Sequence, residues 1–257
     1  MRALPRLSNI IASLLLVLCC WACSTVFPAR SDTLAAGLGK LGDVQGLPEE
    51  SDVILVPDLH ETHGSITGGG QLWTRHRKWQ LRALRFMALK GWTLLGAEHR
   101  EGPLPDEELA RSQRRSFEEA LESGVDPDSL NMFMPLRVQW EIPQLTVLGV
   151  EDKTLYDADV RALDDINRLR RTDGLPEDQK LTAIQQLVAN IVSHKDARGR
   201  AAAANLHAAM LRLGHQRAVL LLGAGHIASA HEELTRLGHH VLLFRSDALE
   251  PLFRSLR

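Results

Sequence analysis

The chain has 257 residues, 44% of them hydrophobic and 24% charged, with 19 glycines and 11 prolines. That is the make-up of an ordinary globular protein and excludes a fibrous, low-complexity or disordered one. Lys and Arg number 30 against 32 for Asp and Glu, so no basic footprint argues for a nucleic-acid partner. All three cysteines, Cys19, Cys20 and Cys23, fall near the start, which excludes a disulfide, a zinc thiolate site, an iron–sulfur cluster and a Cys nucleophile from everything after them.

The N-terminus carries two positive charges, Arg2 and Arg6, and no negative one, then runs through the apolar stretch Ile10–Leu18 into Cys19-Cys20-Trp21-Ala22-Cys23. This is the pattern of a secretory signal peptide. It is too short for an unaided membrane span, which needs about 20 apolar residues. Ala22-Cys23 looks like a bacterial lipobox, so residues 1–22 are expected to leave and Cys23 to carry a lipid. The expected location is the periplasmic side of the outer membrane, with the membrane as partner through that anchor. Cys20 stands where such sites prefer Leu. Cys19 or Cys20 as acceptor, plain cleavage to a secreted or periplasmic protein, and an uncleaved anchor therefore stay open. Loss of Arg2 and Arg6 leaves 28 basic against 32 acidic residues, a charge of -4. Residues 23–50, rich in Gly, Pro and Ser after the lipidated Cys, read as a tether, and residues 51–257 as a single domain.

Within that domain, Asp52–Pro57, Trp92–Ala97, Leu145–Val150 and Ala218–Gly223 are continuous aliphatic and β-branched runs, and Val241–Phe244 follows late. Such runs are strands buried on both faces of a parallel sheet. Between them, Gln71–Lys90 mixes apolar and basic residues, and Asp106–Ser123 is charged and solvated. Leu181, Ile184, Leu187, Val188 and Ile191 recur at helical steps, and Ala201–Leu213 continues them. The alternation predicts an α/β fold, a mostly parallel central sheet flanked by helices. A long helical excursion, about Thr154–Leu213, precedes the last two strands and packs over one face or forms a cap.

In such sheets ligands bind at the carboxyl ends of the strands, and this sequence concentrates His and carboxylates there. The first strand runs into Asp58-Leu59-His60-Glu61-Thr62-His63, the second into Glu98-His99-Arg100, the third into Glu151-Asp152-Lys153 and the fourth into Gly225-His226. Strand alternation lets Asp58 and His60 share a face, and only one of Glu98 and His99 can enter a given cleft; Glu98 is favoured, with His99 in reserve. Imidazole and carboxylate together suit a borderline divalent metal that activates water, or a metal-free general base. The other histidines, His76, His194, His207, His215, His231, His239 and His240 among them, read as solvated. No Gly-x-Ser-x-Gly elbow, His-Glu-x-x-His helix or Gly-Lys-Ser/Thr phosphate loop is present, so Gly68-Gly69-Gly70 is flexible backbone beside the site, or a lid.

Pro57-Asp58-Leu59-His60, Ala97-Glu98 and Gly223-Ala224-Gly225-His226 resemble the motifs of a superfamily joining Tiki/TraB-type metalloproteases, ChaN-like haem-binding lipoproteins and erythromycin esterases. Thr62-His63-Gly64 is similar to the esterases' Thr-His-Gly element, so His63 competes with His60 for the first His. Arg198 and Asn205 resemble the Arg-rich helix before Gly-x-x-His. The departures are Pro57 for Gly, Asp58 for Glu and Gly199 for an acidic residue. The resemblance implies an extracytoplasmic hydrolase of a peptide, ester or amide, with His60, Glu98 and His226 catalytic. Asp58, His60, Glu98 and His226 would hold Mn, Co or Zn. His63, Glu151 and Arg198 would support the site or bind substrate, Arg198 unless it merely pairs with Asp196 on a helix surface. The alternatives are a haem- or iron-binding uptake lipoprotein without catalysis, and a degenerate member kept as a binding module. A single Tyr, Tyr156, and 5% aromatics leave little for a haem slot.

Overall fold

The computed structural model describes residues 34–39, 41–46, 49–58, 70–104, 107–125, 134–172 and 174–245. In chain order these form α1 (Leu34–Gly39), β1 (Asp43–Gln45), β2 (Val53–Asp58), α2 (Gly70–Leu89), β3 (Leu94–Arg100), β4 (Gly102–Pro103), α3 (Glu107–Ser123) and α4 (Met134–Glu141). There follow β5 (Thr146–Glu151), α5 (Lys153–Arg171), α6 (Glu177–Leu213), β6 (Ala218–Gly223), a 3₁₀ turn (Ala224–His226), α7 (Ile227–Arg236) and β7 (Val241–Arg245).

The aliphatic runs become the centre of one sheet ordered β1-β7-β2-β6-β3-β5-β4. Its five inner strands are parallel, while β1 and β4 lie antiparallel at the two edges. The fold is thus α/β with a mostly parallel sheet flanked by helices. Pro57 is accommodated because β2 pairs with β7 only through Leu55, so the ring lies beyond the last rung on that side.

Strand alternation divides the core in two. Ile54, Val56, Leu95, Ala97, Val219 and Leu221 face α2 and α4, packing on Leu84, Phe86, Met87 and Trp92. Val53, Leu55, Leu94, Leu220 and Leu222 face α6 and α7, packing on Ala202, Ala203, Leu206 and Ala230. The small residues of α6 let that helix lie close to the sheet, and Asn205 donates to the Val150 carbonyl at 2.9 Å.

The folded unit begins earlier than residue 51. Residues 34–45, within the stretch read as tether, supply a helix whose Leu38 is fully buried and an edge strand paired with β7. The excursion before β6 is a pair of helices, α5 and the 37-residue α6. Asp152 caps α5 by accepting from the Thr154 and Leu155 amides at 2.9 Å each. Gly214, left-handed at φ 72°, ends α6.

Candidate metal centre

Because β2, β6, β3 and β5 are consecutive neighbours, their carboxyl ends form one continuous rim. Glu98, in phase with Leu94 and Gly96, turns toward α6, the side away from α2. Its Oε2 accepts a short hydrogen bond from the Gly223 amide at the end of β6. Glu151, the last residue of β5, reaches the same space and is 1% exposed. His226 enters from the 3₁₀ turn after β6. Its Nδ1 meets the Lys195 carbonyl at 2.8 Å, which makes that nitrogen the donor and leaves Nε2 facing Glu98 Oε1 at 3.5 Å. One ligand atom from each of Glu98, Glu151 and His226 lies within 4.8 Å of the other two, so the group could hold a metal ion. A ligating imidazole fixed by a backbone carbonyl through its other nitrogen is the usual arrangement in metal sites.

Arg198, from the middle of α6, is the counter-charge. Its Nε donates to Glu151 Oε1 at 2.7 Å, Nη1 to Asp159 Oδ2 at 2.7 Å and Nη2 to Glu98 Oε1 at 3.2 Å. Asp159, on α5, also meets His194 Nδ1 at 2.8 Å. Arg198 is therefore enclosed by three carboxylates, its side chain 11% exposed, and not paired with Asp196, which is exposed. Within this network Glu151 Oε2 is buried and has no hydrogen-bond partner among the described residues.

The electrostatics follow from that arrangement. Burial, then the neighbouring charge of Glu98, raise the Glu151 carboxyl from 4.5 to about 7, against the pull of Arg198. His226 is raised above its ordinary value: burial lowers it, but the hydrogen bond and charge of Glu98 outweigh that. Burial likewise opposes the Arg198 charge, and Glu151 and Glu98 more than offset it.

The expected residues divide into those gathered here and those placed elsewhere. Glu98, Glu151, Arg198 and His226 come together, Glu151 as closely as Glu98. His60, His63 and Cys23 lie outside the described residues, as do Gly68 and Gly69. Asp58, in phase with Ile54 and Val56, is on the other face, where it accepts from Gln80 Nε2 at 2.6 Å and stands 3.6 Å from His76 Nε2. His99 packs its ring on Tyr156 at 5.3 Å, and burial lowers its pKa.

His76, expected in solvent, is fully buried against Trp79. His207 and His239 join in a 2.9 Å contact that continues to Asp52 at 2.7 Å, and His231 and His240 are exposed. Asp159 and His194 were missed as members of the network; their pairing crosses two helices, and no local pattern joins them. A hollow of about 430 Å³ lined by Asp164, Asn167, Arg168, Arg171 and Thr172 shares no residue with the centre. Set against family models, curated proteins and solved structures, the chain matches none.

Proposed function

We propose that the chain is a lipid-anchored extracytoplasmic hydrolase of the Tiki/TraB, ChaN and erythromycin esterase type. It acts on a peptide, ester or amide, with Glu98, Glu151 and His226 holding Mn, Co or Zn. The observation that supports this most is Glu151 Oε2, a buried carboxylate oxygen with no partner among the described residues, on a residue of a three-ligand group whose imidazole is already oriented. A buried lone pair left unsatisfied costs free energy that a cation would recover. When bound, the cation would supply Lewis-acid polarisation of a carbonyl and of water.

The protein's own groups have separable tasks. Arg198 keeps Glu98 and Glu151 close in spite of their mutual repulsion; with each of its three nitrogens already donating to Glu151, Asp159 or Glu98, its main task is positioning. His226 presents Nε2. Glu151, with a carboxyl near 7, can hold or release a proton at neutral pH, which also supports a second, metal-free reading with Glu151 as general base.

Metal analysis of the purified chain, with hydrolysis of an ester and peptide panel before and after chelation, tests the proposal. Bound metal lost in His226→Ala, together with chelator-sensitive hydrolysis, is the expected result. Chelator-insensitive hydrolysis favours the general-base reading. Absence of metal together with a haemin Soret shift abolished by His226→Ala overturns both.

A further inference from the structure

The first half of α6, residues 177–198, contains no fully buried side chain; its buried residues run from Gly199 to Met210. This half therefore projects beyond the sheet, alongside the antiparallel α5. Of the eleven large apolar side chains exposed among the described residues, six lie on this hairpin: Val160, Leu163, Leu175, Leu181, Val188 and Val192. Leu181 is 57% and Val192 61% exposed.

Helical phase puts five of them on one side. The inward line of α5 passes through Asp159 and Ile166; Leu163 and Val160 lie about 40° and 100° round from Asp159 in the sense of chain advance. On α6 the half-buried Ile184, Leu187 and Ile191 mark the inward line. Leu181, Val188 and Val192 are about 65–110° round from it in that same sense. In two antiparallel helices, equal rotation brings both rows to the same side of the pair.

Two features of this face favour a protein partner. Leu181, Gln185, Val188 and Val192 are spaced four, three and four residues apart, the seam spacing of helices that pack on one another, with one polar position to set register. The run from Leu181 to Ser193 also holds no charged residue, where a chain with 24% charged residues would place about three in 13. Interface cores are depleted of charge, whereas helices lying on a lipid headgroup surface are rich in Lys and Arg. The five exposed side chains offer roughly 400 Å² of apolar surface, close to the apolar share of the ~800 Å² that each partner buries in a stable interface. The uncharged α6 row meets no repulsion from its own copy across a two-fold axis, and the charges of α5, of both signs, lie at its margin.

We propose that this face is a dimerisation surface, on which the α5–α6 hairpin of a second copy of the chain packs about a two-fold axis to complete a four-helix bundle. The same helices carry Asp159, His194 and Arg198, so the second copy braces the elements that hold the carboxylates.

The test is the mass of the full-length polypeptide, solubilised in mild detergent, by size exclusion with light scattering. The wild type is expected at twice the mass of one processed chain, or twice 28.5 kDa where the N-terminal segment is retained. Val188→Glu and Val188→Lys, each placing like charges across the two-fold, are expected to run as monomers, with the dimer dissociation constant raised by about a hundredfold or more. An equimolar mixture of the two variants is expected to recover the dimer, which misfolded variants would not do. A wild type that stays monomeric up to roughly 100 µM, a Val188→Glu variant that dimerises like wild type, or a mixture that remains monomeric would each overturn the proposal.

Discussion

The guanidinium of Arg198 holds one oxygen of Glu151, Nε to Oε1 at 2.7 Å, and leaves the other, Oε2, buried without a partner among the described residues. The carboxylate is thus fixed in place by a cation that does not fully satisfy it. Burial and Glu98 keep a proton there until about pH 7.

Stability of the metal-free chain should therefore fall as pH rises. A Glu raised from 4.5 to about 7 binds its proton more tightly in the folded state. Below pH 4.5 both states are protonated and the group is neutral to folding; above 7 the folded state bears the whole cost of the buried charge. His226, also raised, stabilises below 6.5, and that contribution is lost as pH rises through its folded value. The two act in one direction, and Glu151 contributes at most about 3 kcal/mol across its window. Urea unfolding at pH 5 and pH 8, for wild type and Glu151→Gln, measures this: the decline should be smaller in the variant. Equal declines would show that Glu151 ionises normally.

A divalent cation should reverse that trend, because it must displace the Glu151 proton and find His226 neutral. Calorimetric titration with Mn, Co or Zn in two buffers of different ionisation enthalpy should show release of between about one and two protons at pH 6.5, with affinity falling by more than about tenfold per pH unit as both groups become protonated. Binding with no proton release would place the ion elsewhere.

How much of this was legible beforehand depended on distance along the chain. The strands were, since aliphatic runs carry their own signal; two-residue alternation also separates Glu98 from His99, though it does not by itself say which of the two faces α6. The glycines near two of the strand ends, Gly96 and Gly149, are required for unrelated reasons. A Cβ on Gly96 would meet Leu206 of α6 at 2.9 Å, while one on Gly149 would meet the Arg100 carbonyl at 2.0 Å, where β3 bulges. His76 was obscured by its neighbours: Arg75, Arg77 and Lys78 make the segment look solvated, yet the phase His76, Gln80, Ala83, Met87 points inward. Helix α4 and the short edge strands β1 and β4 hold too few residues to show a period. The partners of Arg198 lie 39, 47 and 100 positions away, so no local pattern could join them.

Removing Arg198 tests whether it compensates charge or merely decorates a helix. Arg198→Met would leave Glu98, Glu151 and Asp159 facing one another without a cation, and breaking such a buried network costs about 3–5 kcal/mol, against at most about 1 for an exposed pair. Adding Glu151→Gln to Arg198→Met should recover part of that loss by removing one of the three charges. Chemical unfolding of the two single variants and the double variant gives the coupling. A loss below about 1 kcal/mol for Arg198→Met would mean that the network is open to water.

The geometry around Gly199 requires its lack of a side chain. A Cβ there would lie 2.6 Å from the His226 carbonyl oxygen and 2.2 Å from Ser229 Oγ. The hydroxyl can rotate away, but the carbonyl belongs to the backbone that carries His226, so α6 and the 3₁₀ turn would have to separate. Gly199→Ala should then cost about 1–3 kcal/mol through overpacking, less what alanine returns in helix propensity. Its larger effect should fall on the centre, because the shift withdraws His226 Nε2 from Glu98 and loosens its tie to Lys195. Gly225→Ala is the control: the same turn, but a Cβ whose nearest neighbour is Lys195 Cδ at 3.6 Å, an ordinary contact. Thermal unfolding and divalent-metal titration of both variants should show metal affinity reduced in Gly199→Ala and retained in Gly225→Ala. Equal affinity in the two would mean that His226 holds its position independently of how closely α6 approaches.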